Sequence, residues 1–495
     1  MRTLAPAETL VYLETNDLGA ALQPIVDSKP FTDVAKSKPD FSALKGVQLA
    51  VAVTGFETSE EKLTDEHSVG RVQPHFVAIA DTHAWNYQAN AFAEKKLGGF
   101  VEEIYDSQPT LEKSDKNGGK YLTWTAKDGR RAYALVIDSL IYFGNDETSI
   151  DKCLAVKRGE ADSLAKAGKV RPGDPATLAS GYVGPDGIAQ IANIVGLKFA
   201  SEAADESEVQ SAIAGILPQL LRNSITEICW TATKTKEGIE DKYLVTMPTD
   251  IANVFNETMA SGGHADSTAF NWLPSDVSTA TRYDFKDTQI AWRSLLLVIQ
   301  KKLDPSAANA LVAFSRLFFE PYGISDPDIF FSAGVNVATA NFSAEGDKPV
   351  LRTNFIDEGK FHNSLLKDLR VQRSDGSRHT DDEDIRAFQI GVTMVSGEGE
   401  AVKSLYPFYV ANDKKNTLAD SIPADLGKDA VVFTVGHDTV TTLSLVDILA
   451  HEGHGDTKSV STYFTETRFT KSGMERKTTS DFGLIGSIIA ALAQD

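Results

Sequence analysis

The densest run of metal-binding side chains is His451-Glu452-Gly453-His454-Gly455-Asp456, with His437-Asp438 a short way upstream. Two imidazoles three residues apart can share a zinc ion if a third donor folds over them. The spacing differs from the His-Glu-x-x-His of zinc proteases, whose histidines project from one helix face. The two glycines instead suggest a loop after a helix, where an imidazole near the carboxyl end is favoured electrostatically. His437, His451 and His454 are therefore the candidate ligands of a metal-dependent hydrolase, an alternative reading of the chain.

Thr380-Asp381-Asp382-Glu383-Asp384 has the acids of a calcium site but neither its alternating oxygen ligands nor its central glycine. Thr380 and Glu383 ahead of Ile385 fit a capping box, so these acids are expected at the amino end of a helix. Ser149-Ile150-Asp151-Lys152 and Ser364-Leu365-Leu366-Lys367 match the nucleophile–base spacing of penicillin-binding enzymes. The companion Ser-Asp-Asn and Lys-Thr-Gly elements are missing, and chance explains both matches. There is no Gly-x-Ser-x-Gly, phosphate-binding loop or dinucleotide fingerprint, and the nine histidines are scattered. No catalytic residue and no cofactor is assigned. One aromatic helix, His83-Ala84-Trp85-Asn86-Tyr87-Gln88 with Phe92, has two readings. Trp85 and Phe92 are expected to be core anchors on one face, and a ligand groove lined by the rings is the alternative.

Of the 495 residues, 49 are basic and 69 acidic, a formal charge of -20. That field repels nucleic acid and anionic membrane surfaces, which leaves a protein or small-molecule partner and, above all, solubility. Cys153 and Cys229 form no Cys-x-x-Cys pair; they read as buried thiols, with a single disulfide left open. Met1 to Pro6 runs into the first strand without the apolar core of a secretory signal. The chain is thus expected to be either cytoplasmic or a mature form restarted with methionine. Leu484 to Leu492 is too short to span a bilayer and reads as a buried terminal helix, so no transmembrane segment is expected.

The elements that must position these residues come in two matched sets. Pro6-Ala7-Glu8 and Pro274-Ser275-Asp276 each head an apolar run. Pro74 to Asp81 and Pro349 to Asp357 each lead into an aromatic helix. Asn145-Asp146 is matched with Asn412-Asp413, Pro175-Ala176 with Pro423-Ala424, and Thr235 to Glu240 with Thr470 to Glu475. The offset drifts from 268 (274 − 6) to 235 (473 − 238), as loop insertions and deletions would make it. The glycine-rich stretch from Ala260 to Ser267 falls where a joint is needed. The domains are expected at 1–260 and 270–495, with a linker at 261–269.

Within each set, strands such as Val47 to Phe56, with Val47, Leu49, Val51 and Val53 alternating, come in runs closed by tight turns, and helices separate the runs. That pattern predicts an α+β fold: a tandem duplication of a mainly antiparallel sheet with helices packed on one face. At Pro6-x-Glu8-Thr9-Leu10-Val11-Tyr12 and the strand–Asn145-Asp146–helix element, the chain resembles a bacterial family of exported or lipid-anchored proteins of unknown function. The resemblance implies a periplasmic or extracellular location and carries over no catalytic residue. The expected function is a non-catalytic binding or scaffold protein outside the cytoplasm. A carrier of a lipid or small apolar ligand is a further alternative.

Overall fold

The computed structural model describes residues 1–27, 41–62, 68–170, 177–203, 208–263, 269–342, 348–374, 376–410, 417–437, 462–481 and 483–486. The fold is α+β, and every strand pair among the described residues is antiparallel.

Among the described residues, ten strands come from the first half: β1 (Val11–Thr15), β2 (Gln48–Lys62), β3 (Ser68–Asp81), β4 (Thr110–Lys116), β5 (Gly119–Thr125), β6 (Arg131–Ile137), β7 (Leu140–Gly144), β8 (Thr177–Val183), β9 (Glu227–Lys234) and β10 (Ile239–Thr246). Nine come from the second: β11 (Thr279–Tyr283), β12 (Asn336–Asn341), β13 (Pro349–Asn354), β14 (Arg378–His379), β15 (Ile385–Ile390), β16 (Thr393–Glu398), β17 (Val432–Gly436), β18 (Tyr463–Thr470) and β19 (Gly473–Ser480). They form one 19-stranded sheet. From one edge the first half runs β4-β5-β6-β7-β3-β2-β1-β8-β9-β10. From the other edge the second runs β14-β15-β16-β13-β12-β11-β17-β18-β19. The two series meet where β10 pairs with β19.

The registers correspond as well as the order. Val11 faces Val53 and Val183 on its two sides, and Thr279 faces Asn341 and Gly436. Val77 faces Gly144, and Val350 faces Gly397. Isolated bridges join Pro6 to Ser163 and Pro274 to Thr417. At the meeting pair, Lys242 faces Lys477, and each lysine reaches diagonally to the opposite strand: Lys242 to Glu475 at 3.0 Å, Lys477 to Glu240 at 3.6 Å. The diagonal ion pairs offset the like charges that face each other.

Short-range chemistry accounts for the element boundaries. Asp17, Asp146 and Asp287 cap the helices Leu18–Val26, Glu147–Lys157 and Thr288–Lys302 by accepting from backbone N–H groups of the first turn. Gly238 and Gly473 close equivalent hairpins at φ 132° and 138°, conformations that favour glycine. Thr235 Oγ1 donates to Gly238 O at 3.2 Å, and Thr470 Oγ1 to Gly473 O at 3.3 Å.

Helices cover both faces of the sheet, not one. Tyr142 lies in the core with Ile150, Cys153 and Leu154 of the helix Glu147–Lys157, whereas its neighbours Ile141 and Phe143 point the other way and meet Ala89, Ala93 and Val101. Val395 and Met394 divide in the same manner between the helix Gly399–Val410 and the helices Pro327–Ser332 and Glu358–Ser364. With both faces covered, strict alternation of apolar and polar residues is not required. In β2 the completely buried residues are Ala50 and Ala52, while Leu49, Val51 and Val53 are half-buried.

Other expectations shift too. Ile329 to Phe342 reads as strand from its sequence, yet its first residues belong to the helix Pro327–Ser332, and strand begins only at Asn336. Thr380 to Asp384 caps no helix; it is the turn between β14 and β15. Thr380 Oγ1 accepts from Ile385 N at 3.2 Å, and Glu383 adopts φ 64°. Asn412-Asp413 lies outside the described residues, as does Pro175-Ala176. The element ahead of Asn412 is the helix Gly399–Val410, so the counterpart of the β7–Asp146–helix element is β16 with that helix.

Candidate functional site

The helix Asn86–Phe92 and the cap residue before it carry the most exposed large aromatic rings on the described surface. Trp85 is 75% exposed and Tyr87 71%. Its approach is set locally. Thr82 N donates to Ser139 O, His83 N donates to Asp81 Oδ1 at 3.0 Å, and His83 takes φ 50°. This left-handed residue turns the chain sharply out of β3. Trp85 then sits at the cap in extended conformation, and its N–H donates to Gln88 Oε1 at 3.1 Å. Because Trp85 precedes the helix, the 3.6-residue period does not carry it to the face of Phe92. Phe92 packs against the core with Ala89, Ala93, Trp124 and Phe143, as a core anchor should, whereas Trp85 does not.

Between this helix and β5 lies a groove of about 760 Å³, lined by Trp85, Asn86, Tyr87, Asn90, Ala91, Glu94, Lys120 and Leu122. Leu122 is buried and forms the floor. The charges at the rim are paired: Glu94 with Lys113, and Lys120 with Asp115 at 3.7 Å. Asn90 Nδ2 donates to Asn86 O at 2.8 Å, and its buried Oδ1 has no hydrogen-bond partner. The arrangement offers flat π faces, amide groups and no unpaired charge. It holds no nucleophile–base pair. A second groove, of about 820 Å³, is lined by Lys45, Lys234 and Lys236 together with Asp27, Asp481 and Phe41.

Of the histidine set, only His437 falls among the described residues; His451 and His454 lie outside them. His437 follows β17. Its N–H donates to Ser278 O at 2.9 Å, its Nδ1 lies 3.0 Å from Thr462 Oγ1, and its buried Nε2 has no hydrogen-bond partner among the described residues. Among the described residues, no three His, Cys, Asp or Glu side chains converge on one point. The serines of the two Ser-x-x-Lys matches are engaged elsewhere: Ser149 Oγ donates to Asp146 Oδ2 at 2.7 Å, and Ser364 Oγ to Phe361 O at 2.6 Å. Cys153 and Cys229 are not joined by a disulfide, and burial pushes the Cys153 thiol up to about 12. Among the described residues no helix is long and apolar enough to cross a membrane; most of the expected helix Leu484 to Leu492 lies outside them.

Asp241, Arg282, Asp284, Arg378 and Glu466 are buried charged residues that the sequence reading missed, and two of them lie near the seam of the sheet. Asp241, on β10, accepts from Trp230 Nε1 at 2.9 Å and from Leu484 N at 2.8 Å, and burial pushes its carboxyl up to about 6. Glu466, on β18, accepts from Gly427 N at 2.9 Å and pairs with Lys477 at 2.7 Å. Charged residues in or beside strands read as solvent-facing, so none of the five carried a signal. No family model, curated protein or solved structure matches the chain.

Proposed function

We propose that the chain is a non-catalytic binding protein that works outside the cytoplasm, built from two copies of one ancestral unit, with the Trp85–Tyr87 groove as its ligand site. The observation that carries the binding reading is the exposure of both rings on a helix whose opposite side is anchored in the core. Leaving two large aromatics in water stabilises nothing in the fold, and exposed rings beside polar groups mark recognition surfaces. The duplication is supported by the shared strand order, the shared registers and the paired glycines Gly238 and Gly473. The location rests on the family resemblance alone.

Native mass spectrometry of the protein purified from its own organism, wild type beside Trp85→Ala, tests the site. A retained mass that the variant loses is expected. Identical spectra, with nothing retained by either, overturn it. A second reading, a metal-dependent hydrolase using His437, His451 and His454, draws on the buried Nε2 of His437, which has no partner among the described residues. Elemental analysis tests it: a stoichiometric transition metal that disappears on changing His451 and His454 to alanine is the required result.

A further inference from the structure

We propose that the groove beside the helix Asn86–Phe92 takes a neutral, hydroxyl-rich ligand, a saccharide chain; this rests on the reading of that groove as a binding site. The rings supply the first argument. The C–H face of a sugar ring is apolar and weakly positive, and it packs on the negative face of an indole or phenol. Trp85 and Tyr87 present such faces to solvent, and the capped turn at His83 to Gln88 holds the tryptophan backbone in place before any ligand arrives.

The charge pattern supplies the second. Although the chain carries a formal charge of -20, the groove holds one carboxylate and one ammonium, and each already has an ion partner outside it. A phosphate, a carboxylate or an ammonium ligand would compete with one of these pairs for its contact. A neutral polyol breaks neither. Hydrogen-bonding capacity supplies the third. The Asn86 amide lines the groove with an N–H donor beside an oxygen that Asn90 Nδ2 holds in place, a polar edge that hydroxyl groups can meet. The volume of about 760 Å³ lies within the range that encloses small ligands, roughly 300–1,000 Å³.

The corresponding place in the second half lacks this equipment. Four and six residues beyond the end of β3 stand Trp85 and Tyr87; four and six beyond the end of β13 stand Glu358 and Lys360. The inference is therefore specific to the first half.

The full-length protein, wild type and the variants Trp85→Ala, Tyr87→Ala and Glu358→Ala, is applied to a glycan array, to insoluble cellulose, chitin and peptidoglycan, and to an array of proline-rich peptides. Circular dichroism checks that each variant is folded, which the exposure of both rings favours. Wild type and Glu358→Ala are expected to be retained equally on at least one glycan surface. Each ring removed is expected to weaken that retention about tenfold. Glycan binding that survives both ring substitutions, or peptide capture that needs Trp85 with no glycan bound, overturns the saccharide while the second result keeps the groove as a site. Capture on neither surface overturns the saccharide and the groove together.

Discussion

The two halves share a strand plan and differ in what they do with it. At the third position after Val11 and after Thr279 stand Glu14 and Arg282, opposite charges at matching places on β1 and β11. Glu14 is bonded by Tyr12 Oη at 2.9 Å and approached by Arg2 at 3.4 Å. Arg282 donates to Gly427 O at 2.6 Å and lies 5.5 Å from the centre of the Phe433 ring. At the third position after Gly238 and Gly473 stand Asp241 and Arg476, again of opposite sign. The helix after β3 shows two rings to solvent, while its counterpart after β13 buries Phe361 against Phe355 in a stacked pair at 4.3 Å. The backbone plan tolerates such changes because strand pairing is made by main-chain groups common to all residues. Buried charges survive wherever each finds its own partner.

The hairpin glycines give the strongest way to break this comparison. A Cβ on Gly238 would overlap Ser480 O, and one on Gly473 would overlap Val245 O. Gly238→Val and Gly473→Val should each cost about 3 kcal/mol or more, and by the same amount within about 1 kcal/mol. Chemical unfolding measures both. One costly and one harmless substitution would mean that the two turns are not equivalent.

Asp241 should separate the halves by pH. Its folded value, about 6, lies above the ordinary 3.8, so the folded state holds the proton more tightly. Its contribution is fully present below about pH 4 and is lost as pH rises through about 6, a swing of about 3 kcal/mol. The stability of wild type relative to Asp241→Asn should fall over that window; a flat difference refutes the assignment.

The seam lysines sharpen the contrast further. Lys477 serves the buried Glu466 and Lys242 does not. Lys477→Met should cost about 2 kcal/mol by removing the nearest cation from that buried carboxylate, and Lys242→Met under about 1 kcal/mol. Equal losses in thermal unfolding would show that the seam is energetically as symmetric as its registers. The smallest effect belongs to the rings. Trp85→Ala should move stability by no more than about 0.5 kcal/mol, whereas Phe361→Ala should cost about 3–5 kcal/mol. A melting temperature that drops as far for Trp85→Ala as for Phe361→Ala would make Trp85 part of the fold rather than of a site.

Much of the plan was legible in the chain. The strand reading of Val47 to Phe56, the strand–Asp146–helix element and the Thr-x-x-Gly turns at Thr235 and Thr470 all rest on residues a few positions apart. What misled was burial. Trp85 and Phe92 share a spacing but not a face, since the helix begins after Trp85. Thr380 and Glu383 have the spacing of a cap, yet β14 and β15 turn there because Arg378 and His379 pair with Ala387 and Arg386.

Sequence by itself determined the α+β class of fold, several of its tight turns and the formal charge of -20, because strand alternation, glycine conformations and formal charge are properties of neighbouring residues or of simple sums. Tertiary structure alone decided that helices cover both faces, that β10 meets β19 through crossed lysine–glutamate pairs, that Asp241 and Glu466 are buried, and that Trp85 and Tyr87 stand in solvent beside a neutral groove. Each of these depends on residues brought together from far along the chain. Whether a side chain is wet or dry is set by those distant neighbours.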